Sequence, residues 1–234
     1  MALAWSTDVS AADWLVAASR PFTPPWPAAF RVITLGPPGY AAYARVRFIP
    51  DPVRPGQEEA DTELAEDHPS DLTQVERALG VLARFTTTPD DAWFCAWEGY
   101  SDTVIPRVVL EASMVDLAVR RYGLLRGALA DVDGWSAAIG ASRPACPPAL
   151  VWPADRSWCL AADTDPHYGG VAGSAAAIEA LLAEPGLDAV RADPDAPQPA
   201  YGSVDPPPAP DASGSVTPTR WCPVACSSRP ARRG

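Results

Sequence analysis

Pro89-Asp90-Asp91-Ala92-Trp93-Phe94-Cys95-Ala96-Trp97-Glu98 and Pro153-Ala154-Asp155-Arg156-Ser157-Trp158-Cys159-Leu160-Ala161-Ala162-Asp163 use one device twice: a proline-aspartate turn, a tryptophan-led apolar run and a closing carboxylate. Turn residues followed by a short run of aromatic and small apolar side chains read as a core strand. Each acid follows its first tryptophan by five residues, so on a strand of period two it projects from the opposite face to that tryptophan. Glu98 and Asp163 are therefore candidate equivalents, able to act as an acid and base whose pKa values are split by proximity. The plainer account has both acids facing water. Trp93, Trp97, Trp152 and Trp158 then fill the core, each burying roughly 200 Å², or some indoles form a recognition surface with Arg126 or Arg156 stacked on them.

Outward from these strands the signals are shorter. Ser10 and Asp13 open a helix over residues 11–19, and a proline cluster ends it. Phe30 to Leu35 is rich in β-branched residues, Gly36-Pro37-Pro38-Gly39 is a turn, and Ala44-Arg45-Val46-Arg47-Phe48 alternates, which predicts a hairpin with one wet face. Residues 51–71 are acidic and lack an apolar period, which reads as a solvated loop. Ser70 caps a helix in which Leu72, Val75, Ala78, Leu79 and Leu82 recur at three and four. Residues 120–129 read as a strand and 131–148 mostly as loop. Ser174 caps a helix carrying Ile178, Leu181 and Leu182, and an edge strand follows over 187–190. Strands outnumber helices without βαβ alternation. The expectation is one α+β domain over residues 5–190, an antiparallel or mixed sheet with two or three helices on one face, and a proline-rich disordered tail over 191–234.

Composition closes several chemistries. The chain has 234 residues and no lysine or asparagine, so its 18 basic residues are all arginine. A phosphate loop with its lysine and a pyridoxal Schiff base are both excluded. A net charge of -11 without a clear arginine cluster argues against nucleic acid. No apolar run is long enough for a membrane span and no leader is evident, so a cytoplasmic protein is expected. The five cysteines form no C-x-x-C pair and read as reduced thiols, with Cys95 and Cys159 as small core residues. No G-x-S-x-G elbow is present, and the only histidines are His68 and His167.

The order Gly39-Tyr40-Ala41-Ala42-Tyr43-Ala44-Arg45-Val46, Trp93-Phe94-Cys95-Ala96-Trp97-Glu98-Gly99-Tyr100, Arg120-Arg121-Tyr122-Gly123, the second tryptophan segment and Tyr168-Gly169-Gly170 resembles a family of uncharacterised actinobacterial cytosolic proteins, over residues 30–190. The resemblance implies the domain boundaries. It brings no activity and no site residues.

The densest polar cluster is Asp163-Thr164-Asp165-Pro166-His167-Tyr168. A D-x-D-x-H run at a strand end offers Asp163, Asp165 and His167 to a divalent metal, or Glu98, Asp163 and His167 to catalysis. Aspartates beside proline also make ordinary turn bonds. Tyr168, Gly169, Gly170, Gly173 and Ser174, between a strand and a helix, are candidates for holding a ligand or anion with free backbone N–H groups. The leading expectation is a non-enzymatic protein-binding or regulatory domain, immunity-like in its acidity, with no cofactor, no nucleic acid and no membrane among its partners. The alternative is a small-ligand or metal-dependent enzyme built on the 163–174 loop. Adjacency decides between them: if the two tryptophan strands are neighbours and both acids open beside Tyr168, the enzyme gains.

Overall fold

The computed structural model describes residues 2–202 except 24, 25, 102 and 142–144, and only the backbone in the short hairpin Phe22–Thr23 and Trp26–Pro27. In chain order the strands are β1 Ala4–Ser6, the hairpin pair β2 and β3, β4 Ala42–Arg47, β5 Ala92–Trp97, β6 Val115–Asp116, β7 Arg121–Gly127, β8 Leu150–Pro153, β9 Cys159–Ala161, β10 Tyr168–Gly173 and β11 Ala189–Arg191. The helices are α1 Asp13–Ser19, α2 Ala28–Leu35, α3 Asp71–Leu82, α4 Arg107–Ala112, α5 Trp135–Ala138 and α6 Ala175–Leu182.

One sheet dominates, in the order β1-β7-β5-β8-β9-β10-β4-β11, with β6 beside β7. Every pairing described is antiparallel. Alternation along the strands builds two cores. Ala92, Phe94, Leu125, Val151, Leu160 and Val171 face α3 and α6, while Cys95, Tyr122, Leu124, Leu150, Trp152, Cys159 and Ala161 face α1 and α2. The α+β class holds. The arrangement of two or three helices on one face does not: there are six helices among the described residues, and they pack against both faces. A sheet apolar on both sides has to be covered on both sides.

The expected hairpin of 30–35 with 44–48 is also corrected. Phe30–Leu35 lies in α2, whose buried Ala29, Val32, Ile33 and Leu35 form an apolar stripe. Gly36, at φ 93°, ends the helix by donating to the carbonyls of Arg31 and Val32 at 3.1 and 3.2 Å. Only glycine takes that left-handed conformation without a steric cost. β4 pairs instead with β10 and β11, so Tyr43 and Arg45 are buried and the wet face does not exist.

Ser70 and Ser174 cap α3 and α6 as expected, accepting from the backbone N–H of Thr73 and Ala177 at 3.2 Å each. Ordered contacts are also found on either side of the 5–190 bounds. β1 pairs with β7, and Ala192 donates to the Tyr43 carbonyl at 3.0 Å while Tyr201 reaches the Pro50 carbonyl at 2.6 Å. Of the tail expected over 191–234, residues 203–234 lie outside the described residues. Among the described cysteines, Cys95 and Cys159 are free and buried as expected, whereas Cys146 is disulfide-bonded, which corrects the reading of a reduced thiol there; Cys222 and Cys226 lie outside the described residues. No helix among the described residues is long and apolar enough to cross a membrane.

Candidate functional site

The two tryptophan segments are not neighbours. β8 stands between β5 and β9, and the copies enter the sheet with opposite faces: Trp93 packs with the α1–α2 core and Trp158 with the α3–α6 core. Each acid does project opposite to its first tryptophan, and for that reason Glu98 and Asp163 leave the sheet on opposite sides. Glu98 extends β5 by donating its N–H to Arg121, and its carboxylate takes two hydrogen bonds from the Arg121 side chain at 3.0 and 2.5 Å. This is an exposed cross-strand ion pair.

Asp163 goes the other way, into the α1–α2 side. Asp163 lies two residues beyond Ala161, which is in register with Leu150 and through it with Cys95; two residues on from Cys95 stands Trp97, so Trp97, rather than Glu98, shares its side of the sheet. Its side chain has no exposed surface. One carboxylate oxygen accepts from the Tyr122 hydroxyl at 2.8 Å, and the other meets Arg120 and the Thr164 N–H, the latter at 2.7 Å. Arg120 also holds Asp165 and the Thr164 hydroxyl, and its guanidinium lies 4.3 Å from the centre of the Trp97 ring. One arginine thus joins both candidate acids under an indole. Burial raises the Asp163 pKa, opposed by the Arg120 charge and by hydrogen bonds from Thr164 and Tyr122. Burial likewise raises the Tyr122 hydroxyl.

His167, the third member of the D-x-D-x-H run, is drawn elsewhere. Its Nε2 lies 2.8 Å from Asp51, whose carboxylate also binds Arg45 and Arg47. Burial depresses the His167 pKa and Asp51 only partly offsets it, which favours the neutral imidazole. The run is therefore split between Arg120 and Asp51. Among the described residues no group of three or more His, Cys, Asp or Glu is placed to hold a metal.

The glycine segment is a strand rather than a loop. Tyr168, Gly169, Gly170 and Gly173 are buried within β10, with their backbone groups in ladders to β9 and β4. Their small size serves packing: a Cβ would meet the Phe48 ring at Gly169, the backbone of Thr34 and Leu35 at Gly170, and Trp158 at Gly173. Ser174 is spent on its cap. Tyr168 lies under the Arg45 guanidinium, and burial pushes its hydroxyl up to about 12.

Arginine stacking on tryptophan does occur, with Arg126 5.1 Å from the centre of Trp93 and Arg156 5.4 Å from that of Trp14. Sequence reasoning named Trp97 only as a core or recognition-surface indole, and it missed Arg120, Arg45 and Asp51 as site residues. The alternation Arg45-Val46-Arg47 was the available signal, but alternation says which residues share a face and not whether that face is covered. No family model, curated protein or solved structure matches the chain.

Proposed function

We propose that the chain is a non-enzymatic, cytoplasmic protein-binding domain with a regulatory or immunity-like role, and that the β5–β7 connection is its contact surface. One observation carries the reading. The exposed large apolar side chains among the described residues are Val53, Val104, Val108, Leu110 and Val119, and four of these five lie between β5 and β7. Apolar side chains concentrated in one connection and bordered by charge are a signature of protein contact. α4 buries Val109 and turns Val108 and Leu110 outward, with Arg107 and Glu111 paired beside them at 2.5 Å. At the β6–β7 turn, a shallow depression of about 430 Å³ is lined by Trp97, Glu98, Asp116, Val119, Arg120 and Arg121.

The state of the candidate catalytic groups supports binding over chemistry. Glu98, Asp163 and Asp165 are each engaged by arginine, and His167 is buried against Asp51. The net charge of -11 favours a basic partner surface, with association that weakens as salt rises. A photo-cross-linking residue at position 108, in the native cell, is expected to give one partner adduct that Leu110→Asp abolishes. The same residue at exposed position 53 should give none. Equal adducts at both positions, or none at 108, would remove this reading.

A further inference from the structure

The surroundings of Asp51 form a second polar centre that the proposed protein contact does not use. Asp51 Oδ1 accepts from Arg45 Nη1 at 2.5 Å and lies 2.8 Å from His167 Nε2; Oδ2 accepts from Arg45 Nη2 at 3.0 Å and from Arg47 Nη1 at 3.3 Å. Three side chains thus converge on one carboxylate. They are held from behind: Arg45, with a side chain only 7% exposed, lies over the Tyr168 ring, and His167 meets Tyr168 and Tyr201 edge-on, with ring centres 5.2 and 4.9 Å away. The β4–β10 ladder fixes the spacing, with Arg45 opposite Gly170 and Arg47 opposite Tyr168. The receptor belongs to the sheet, while its occupant belongs to the loop that follows β4.

Two donors are left over. The Nε–H groups of Arg45 and Arg47 are buried without a hydrogen-bond partner among the described residues. Asp51 takes Arg45 end-on through both Nη atoms, so the side edge of that guanidinium stays unused. A carboxylate has two oxygens to offer, and both are engaged. A tetrahedral oxyanion has more, which matches the surplus of donors. Charge also fits. Arg45 and Arg47 are balanced by Asp51 and by Asp188, which binds Arg47 Nη2 at 2.6 Å, so withdrawal of Asp51 leaves one positive charge to be met.

We propose that Arg45, Arg47 and His167 form a receptor for a phosphate-type oxyanion, and that Asp51 is its internal occupant, displaced by the ligand together with the start of the acidic loop. Within itself that segment is closed by Val53 N–H donating to the Gln57 side chain at 2.9 Å and by an Arg54–Asp61 pair at 2.8 Å, and beyond Asp51 it is tied to the rest of the chain through Tyr201 and Gly202. The Tyr201 hydroxyl touches the Pro50 carbonyl at 2.6 Å and the Thr62 hydroxyl at 2.9 Å, and Gly202 N–H donates to Gln57 at 2.8 Å. The tether makes Asp51 a competitor at high effective concentration, so the free anion binds the native chain weakly.

Calorimetric titration of the full chain with inorganic phosphate, and separately with acetate, tests this. Native protein should bind phosphate in the millimolar range, and Asp51→Ala should bind it about tenfold more tightly or better, with acetate weaker than phosphate. Adding Arg47→Ala to Asp51→Ala should reverse most of that gain. Amide exchange over residues 52–62 should accelerate in the phosphate-saturated native chain. A folded Asp51→Ala protein that binds no phosphate, binds acetate as tightly, or is unaffected by Arg47→Ala overturns the receptor. Tight binding by Asp51→Ala with unchanged exchange in the saturated native chain overturns displacement. If Asp51→Ala does not fold, Asp51→Asn, which keeps the shape and one acceptor, takes its place in the same titrations.

Discussion

An Asp163→Ala chain should be less stable than the native one by about 3–5 kcal/mol, measured by urea denaturation with tryptophan fluorescence. The size follows from what is left behind. Asp163 has no exposed side-chain surface, and its removal leaves Arg120, itself only 13% exposed, with Asp165 as its one remaining carboxylate. It also strips the Tyr122 hydroxyl of its acceptor inside the sheet. Asp163→Asn keeps an acceptor for Tyr122 and should lose clearly less. In a double-mutant cycle, Arg120→Ala and Asp163→Ala should together cost less than the sum of the two, because the second change removes a charge already stranded by the first. The pH dependence has a distinct sign. Burial raises the folded-state pKa of Asp163 above its unfolded value, so the folded chain takes up this proton first. Its contribution to stability therefore rises as pH falls through the folded value. Asp51 runs the other way: burial would raise it, but hydrogen bonds from Arg45 and His167 hold it below the usual carboxylate range, so its contribution is present above the unfolded value and is lost on acidification. A loss under about 1 kcal/mol for Asp163→Ala would mean that Arg120 re-solvates freely and that the centre is a surface pair.

How far the sequence carries can be seen at particular residues. The tryptophan strands, the serine caps at 70 and 174 and the amphipathic helix from Asp71 were all legible, because each is decided by neighbours within a few positions. The hairpin over Phe30–Phe48 was not. Val32, Ile33 and Thr34 carry a β-propensity of tenths of a kcal/mol, which burial of one helical stripe against β9 and β10 overrides. Strand β8 was missed because Ala149 to Trp152 follows a proline-rich stretch and precedes another turn, leaving too short a run to show a period. Site residues fared worst, for a related reason. The D-x-D-x-H run is contiguous in sequence, yet Arg120 draws its acids to one place and Asp51 draws its histidine to another. Those partners lie 43 and 116 positions away from the residues they bind. Spacing along a chain specifies a face; it says nothing about which cation that face meets.

Gly170→Ala is expected to be the most damaging single methyl in the molecule, costing about 3 kcal/mol or more and dislodging α2 from the sheet. Gly170 stands in β10 between Ala161 of β9 and Arg45 of β4, on the side that α2 covers. There the last turn of α2 lies directly on the strand, so a Cβ would overlap the Thr34 carbonyl and come within 2.5 Å of the Leu35 Cα. Both obstacles are backbone, so no rotamer change relieves them, and the helix as a whole has to move. Its departure would uncover the Val32 and Ile33 stripe and draw Thr34 away from Tyr168, on which the Arg45 guanidinium rests. The loss should therefore appear twice, as a lower denaturation midpoint and as faster amide exchange in both α2 and β4. Gly80→Ala is the control. Gly80 sits inside α3, where a Cβ meets nothing within 4 Å, so the same methyl should be neutral or stabilising by up to about 1 kcal/mol through helix propensity alone. If Gly170→Ala and Gly80→Ala shift stability by the same small amount, then α2 does not rest on β10 as closely as described, and the covering of this face has to come from elsewhere.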